Sequence, residues 1–150
     1  MNFDQLKLGN QLCFPVYAAS RLIIREYQPH LDKLGITYPQ YLVLMVLWET
    51  DTISVNDISK KLILNTNTIT PLLKRMETQG IIERHRSEDD ERKVIVNLTP
   101  KGRQMQVDAA EIPGKLAAGL ISDTTKIEEL IDLKHKLEAI ITLMNEKHNA

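Results

Sequence analysis

Only one cysteine occurs in the 150 residues, Cys13. An intrachain disulfide is therefore impossible, and a lone thiol suits a reducing, cytoplasmic setting. No apolar run approaches the roughly 20 residues of a membrane span. The acidic Asp4 and the short apolar runs around it do not suit a signal peptide. An excess of one charge sign is also missing. The formal net charge is −1, so bulk charge says nothing about partners. Four histidines (His30, His85, His135 and His148) are scattered, and no His, Cys or carboxylate spacing suggests a metal site. There is no Gly-rich phosphate loop, no nucleophile elbow, no internal repeat and no low-complexity segment. What is left is a chain expected to need no cofactor. Its length suits one compact domain, or one protomer of a small dimer, and 43% hydrophobic residues suffice for a core.

What is present is concentrated between Ile53 and Leu98. Ser54 is a helix N-cap candidate, with Val55, Ile58 and Leu62 following at helical spacing. A second helix is expected after the polar run Asn65-Thr66-Asn67-Thr68. Its apolar residues are Ile69, Leu72, Leu73 and Met76, and Gly80 is a natural stop. Ile81 to Arg86 and the alternating Val94, Val96 and Leu98 read as two strands around a charged loop, Ser87 to Glu91. Helix, turn, helix and β-hairpin in this order is a winged helix-turn-helix. The expected fold is mainly α with a small β-hairpin wing (α+β). The small polar residues opening the second helix, with Lys74 and Arg75 further along, suit a recognition helix in a major groove. The charge distribution agrees. Lys60 to Arg86 holds six cations and two anions, a local +4, whereas residues 1–59 carry −2.

Helices are expected on both sides of this module. The first is placed from Pro15 to Tyr27, ending at the Gln28-Pro29 step, with Cys13 at or just before its start. Backbone N–H groups and the helix dipole there favour a thiolate; burial as a small hydrophobe is the competing fate. His30 to Gly35 reads as a short separate turn. Thr37 caps a helix from Tyr38 to Thr50 that is apolar on nearly all faces and should be central. Trp48 and Met45 read as core filling. Thr99-Pro100 opens a helix running past Val107, which Pro113-Gly114 must break or kink. The last helix is expected from Ser122 or Asp123, with a stripe of Ile127, Leu130, Ile131, Leu137, Ile140, Ile141 and Met144 too broad for one small core. Domain organisation follows: residues 1–36 and 100–150 as dimerisation helices and 37–99 as the DNA-binding module of a homodimer.

The run Ile69-Thr70-Pro71-Leu72-Leu73-Lys74-Arg75-Met76-Glu77 and the wing Asp90-Glu91-Arg92 resemble the marks of MarR-family bacterial regulators. More narrowly, the stretch Asn10-Gln11-Leu12-Cys13-Phe14, then Tyr17, Tyr27 and Thr37-Tyr38-Pro39-Gln40-Tyr41, resembles the organic-hydroperoxide-sensing OhrR group. The resemblance covers nearly the whole chain. Pro15, and Asn67 where a glycine is common, depart from the pattern. The resemblance implies that Cys13 is the sensing thiol. It also implies that Tyr27 and Tyr38 give their hydroxyls to its sulfur across a dimer interface, with Tyr17 lining the pocket. With no second cysteine, sulfenic acid would pass to a mixed disulfide with a low-molecular-weight thiol, or be overoxidised. The protein would then be a repressor, not an enzyme. It would be released from pseudo-palindromic double-stranded operator DNA by organic hydroperoxides. Thr66, Asn67, Thr68 and Thr70 are expected at bases, Lys74, Arg75 and Arg86 at phosphates, and Arg92, oriented by Asp90, in a minor groove. Competing readings are a regulator answering to a small aromatic ligand, one answering to other oxidants, a thiol peroxidase and a structural helical module.

Overall fold

The computed structural model describes residues 1–149. Two short 3-10 turns, Asp4–Leu6 and Leu8–Asn10, precede α1 (Cys13–Leu34) and α2 (Tyr38–Glu49). Then come β1 (Ile53–Ser54), α3 (Val55–Leu62), α4 (Thr66–Thr78), β2 (Ile82–Arg86), β3 (Val94–Leu98) and α5 (Pro100–Ala109). Helices α6 (Ile112–Leu120) and α7 (Ile127–Asn149) complete the chain. It divides into two compact units, residues 1–112 and residues from Pro113 onward.

In the first unit α2 is the pillar. Thr37 Oγ1 accepts the Gln40 N–H, while Gln40 Oε1 accepts the Thr37 N–H at 3.0 Å, a reciprocal capping box with Pro39 in the first turn. Tyr41, Val43, Leu44, Val46 and Leu47 are buried, as the all-round apolar run requires. Against this core lie Leu31 from α1, Ile58 from α3, and Ile69, Leu72, Leu73 and Met76 from α4. Ser54 caps α3 by accepting the Asp57 N–H at 3.1 Å, and Gly80, at φ +70°, closes the turn after α4.

The wing is antiparallel, with Ile82 opposite Leu98, Arg84 opposite Val96 and Arg86 opposite Val94. The hairpin gains a third, two-residue strand, because β1 pairs with the other side of β3 in the order β1-β3-β2. At this edge the Asp51 carboxylate accepts the Leu98 N–H at 2.9 Å and an Arg103 N–H at 2.8 Å. Burial alone would raise the Asp51 carboxyl, but these two donors and the Thr52 N–H hold it below the usual range. Trp48, expected to fill core, is half-buried: its ring meets Tyr41 edge-on at 6.1 Å between centroids, and its indole N–H donates to the Gly102 carbonyl at 3.0 Å, tying α2 to α5. A Cβ on Gly102 would collide with the Ile81 carbonyl oxygen, so only glycine allows α5 to lie this close.

Four boundaries differ from the sequence expectation. Helix α1 does not end before Pro29. It begins at Cys13 and runs through Pro29, absorbing what was expected as a separate turn from His30, to a left-handed Gly35 at φ +67°. One lost backbone bond is tolerated in a 22-residue helix whose far end is anchored by buried Leu31. Helix α4 begins at Thr66, with Asn65 as the cap, so Thr66, Asn67 and Thr68 of the polar run lie inside the helix. The break after α5 comes at Ala109, ahead of Pro113, which then occupies the first turn of α6. Helix α7 starts at Ile127 because Ser122 is consumed by a turn, accepting the Thr124 and Thr125 N–H groups, while Glu129 accepts the Lys126 N–H.

Candidate functional site

Burying Ile69, Leu72, Leu73 and Met76 leaves one face of α4 outward. By helical periodicity its centre carries Asn67, Pro71, Lys74 and Thr78. Thr66 and Thr70 lie toward the wing, and Thr68 and Arg75 lie on the opposite flank. All of these are exposed except Thr70, which is half-buried. Pro71 stands at the sixth helical position and leaves the Asn67 carbonyl without its usual N–H partner.

On the wing side, Thr66 and Thr70 face Arg92 and Lys93 across a cleft of about 210 Å³, with Ser54 and Asn56 supplied by the start of α3. Asn56 and Lys93 are cleft residues that the sequence reading missed. The only available signal was adjacency, Asn56 to a helix cap and Lys93 to Arg92. The wing is fixed to α4 by Arg84. Its guanidinium donates twice to Glu77 Oε2, at 3.1 and 2.8 Å, and its backbone N–H donates to Oε1 at 3.1 Å. The same guanidinium holds the Glu77 carboxyl below its usual range.

At the wing tip, Asp90 accepts the Arg92 backbone N–H and both guanidinium arms at 3.1–3.3 Å. The Arg92 side chain is nonetheless 90% exposed. Those contacts hold the Asp90 carboxyl below its usual range. Arg86 donates to the Glu91 carbonyl at 2.7 Å, closing the hairpin loop while staying exposed. Lys74 and Arg75 border a separate open groove with Gly35 and Thr37, of about 470 Å³.

The thiol lies elsewhere. Cys13 is exposed and is the first residue of α1. Leu12, Phe14, Val16 and Tyr17 beside it are exposed too. Tyr17 sits one turn on, on the same face, with the Arg21 guanidinium 4.7 Å from its ring centroid. Tyr27 and Tyr38 meet at 5.0 Å between ring centroids, and both touch Tyr41. Burial raises both phenols above their usual range, so each keeps its O–H at neutral pH and remains a donor. Fourteen residues of helix separate Cys13 from Tyr27, about 21 Å at 1.5 Å each. Within one chain the phenol pair and the sulfur are not brought together. Among the described residues no His, Cys, Asp and Glu group could hold a metal ion, and no helix is long and apolar enough to cross a membrane.

Known proteins match this arrangement. The SarA/Rot family of transcriptional regulators matches residues 25–108. The organic hydroperoxide resistance transcriptional regulator of Bacillus subtilis is 47% identical over 97% of this chain and 95% of its own. The Staphylococcus aureus regulator MgrA is 38% identical over 89% of this chain and 92% of its own. Among solved structures, reduced AbfR bound to DNA superposes with a TM-score of 0.79 at 38% identity, covering 96% of this chain and 99% of the other; AbfR comes from Staphylococcus epidermidis. These relatives are regulators, and the thiol peroxidase reading falls with that. The chain belongs to the SarA/Rot family of transcriptional regulators, as a MarR-type winged-helix protein of the organic hydroperoxide resistance group.

Proposed function

We propose that this protein is a homodimeric repressor whose Cys13 senses organic hydroperoxides and whose oxidation releases pseudo-palindromic operator DNA. The observation that carries the reading is the place of Cys13: an exposed thiol opening a 22-residue helix, with the burial-protected phenol of Tyr27 about 21 Å further down that helix and that of Tyr38, at the start of α2, packed against it. Tyr27 and Tyr38 reach a sulfur only if it belongs to a second protomer, so sensing and dimerisation are one requirement. Apolar side chains exposed on the single chain, from Leu12 to Val16 and along α7, give that interface its material.

The chemistry balances simply. The thiolate attacks one peroxide oxygen, the O–O bond breaks, and the alcohol leaves with a proton. Sulfur is oxidised by two electrons to sulfenic acid. A low-molecular-weight thiol then condenses with it, forming S–S and expelling water. Apolar surroundings favour organic hydroperoxides by burying their hydrocarbon part. The enlarged sulfur group no longer fits beside the phenols, so α1 shifts. The two recognition helices, required about 34–36 Å apart on DNA, lose their spacing. On the DNA, Thr66, Asn67, Thr68 and Thr70 read bases and Lys74, Arg75 and Arg86 hold phosphates. Arg92, held by Asp90, enters the minor groove.

A second reading, a regulator answering to a small aromatic ligand, is favoured by the cleft of about 210 Å³ and its cations. One experiment separates the two. Cys13→Ser is expected to bind DNA like the parent and to keep it through a graded titration with organic hydroperoxide in the presence of a small thiol. Serine is nearly isosteric and has no sulfenic state. Release of the serine variant at the parent's dose removes Cys13 from the mechanism and leaves the ligand reading.

A further inference from the structure

Gly35 caps the end of α1 and Gln79, 44 residues later, caps the end of α4, yet the two caps are joined by a side-chain hydrogen bond. Gln79 Nε2 donates to the Gly35 carbonyl at 3.2 Å. Gln79 Oε1 accepts from Gln40 Nε2 at 2.9 Å. Gln40 Oε1 in turn accepts the Thr37 backbone N–H at 3.0 Å. Gln40 is 3% exposed, so this carboxamide cannot turn to water for a substitute partner. Gln79 is also the backbone cap of α4, its N–H bonded to the Arg75 carbonyl at 3.0 Å, and its own carbonyl accepts Lys101 Nζ from α5 at 2.8 Å.

We propose that Gln40 and Gln79 form a relay of positioning residues that passes a displacement of α1 to the recognition helix α4. The proposal rests on the redox reading of Cys13 and says how its signal leaves α1. The tyrosine cluster couples α1 to α2 and leads on, through Tyr41 and Trp48, to α5 rather than to α4. The glutamine pair continues from the α1–α2 turn to the C-cap of α4. Carboxamides suit the task because each offers a donor and an acceptor on one planar, uncharged group, so the chain of bonds keeps its direction at every pH in use. Hydrogen bonds also fail steeply with distance and angle. A small shift of the Gly35 carbonyl therefore breaks the relay outright, which gives α4 two discrete settings.

The test compares the parent with Gln79→Met and Gln79→Glu. Methionine removes both relay bonds. Glutamate keeps an acceptor for Gln40 but loses the donor to Gly35. The probe is a fluorescein-labelled duplex enriched from a randomised library on the reduced parent. Dissociation constants are measured for reduced protein and after cumene hydroperoxide with cysteine, Cys13 oxidation is followed by mass spectrometry, and thermal melting checks folding. The expected result is an unchanged rate of Cys13 oxidation. The oxidised-to-reduced ratio of dissociation constants falls about three- to tenfold in Gln79→Met and by a smaller factor in Gln79→Glu. Gln40→Met combined with Gln79→Met is expected to be no worse than the more affected single variant, as members of one relay require. If Gln79→Met melts below the assay temperature, Gln79→Glu decides alone. Ratios equal to the parent's overturn the relay and leave the sensor intact. A parent that keeps its DNA when Cys13 is fully oxidised overturns the redox reading and the relay together.

Discussion

Between Ile53 and Leu98 the groups that helix and strand ends leave open find partners in or next to that stretch. Ser54 caps α3, Asn65 caps α4, Glu77 takes three N–H groups of Arg84, and Asp90 takes three of Arg92. Helix α7 is the opposite case. Ile127, Ile131, Leu133, Ile140, Ile141, Leu143 and Met144 are all exposed, and none of its residues is buried. The module has what it needs within one chain. The helix has apolar surface that one chain does not cover, and a soluble monomer rarely keeps so much of it in water. On the dimeric reading proposed above, the difference separates two jobs: reading DNA is built into a single protomer, whereas spacing two readers is left to what a second protomer completes.

The largest effect expected follows from breaking that completion. Ile140→Glu with Ile141→Glu places two charges in the α7 stripe. The variant should sediment as a monomer and lose DNA affinity by about a hundredfold or more, because both half-sites must be engaged together. The module should stay folded, with Trp48 fluorescence unchanged. Tight binding by the charged variant would mean that the stripe serves some other purpose.

Within the module, Arg92→Ala is expected to weaken DNA binding by about tenfold or more, the weight of one groove contact. Thermal stability should hardly move, since the side chain is 90% exposed. Equal affinity for parent and variant at physiological salt would take Arg92 out of the interface. Tyr27→Phe and Tyr38→Phe should each leave reduced DNA binding intact. Each should slow Cys13 alkylation at neutral pH by about tenfold, one hydrogen bond to an anion. Alkylation at the parent rate in both variants would return the phenols to plain packing.

What could be read from sequence was local. Ser54, Thr37, Thr99 and Gly80 announce their caps and stops within three or four residues, and the structure uses all four as expected. What could not be read depends on partners distant along the chain. The two residues of β1 are a strand only because β3 lies beside them, 43 positions away at Ile53 and Val96. Helix α1 continues through Pro29 because packing at Leu31 outweighs one missing bond. Gln40 and Gln79 meet across 39 residues, and nothing in either local pattern points to the other. Tyr27 and Tyr38 entered the candidate site through resemblance, since helix geometry keeps them far from Cys13 in their own chain.

The smallest effect sharpens the same comparison, because even the self-sufficient module holds a local cost. The turn between α3 and α4 passes through Ile63 at φ +54°, a left-handed conformation that Gly35 and Gly80 adopt without a Cβ. For an L residue this costs about 1–2 kcal/mol, and a β-branched side chain suits it least. The position is held by its surroundings: the Ile63 N–H bonds to the Lys60 carbonyl, the Leu64 N–H bonds to the Ser59 carbonyl, and Ser59 Oγ donates to the Leu64 carbonyl. Ile63→Gly relieves the clash but gives the unfolded chain more freedom, a loss of about 0.5–1 kcal/mol. Because Ile63 is half exposed, little burial is forfeited. The net expectation is a gain of about 0.5 kcal/mol in denaturant unfolding, with DNA affinity unchanged. Ile63→Ala keeps a Cβ in the left-handed region and should gain nothing. If alanine stabilises as much as glycine, the strain does not come from the backbone, and the turn between the two helices is as relaxed as the rest of the module.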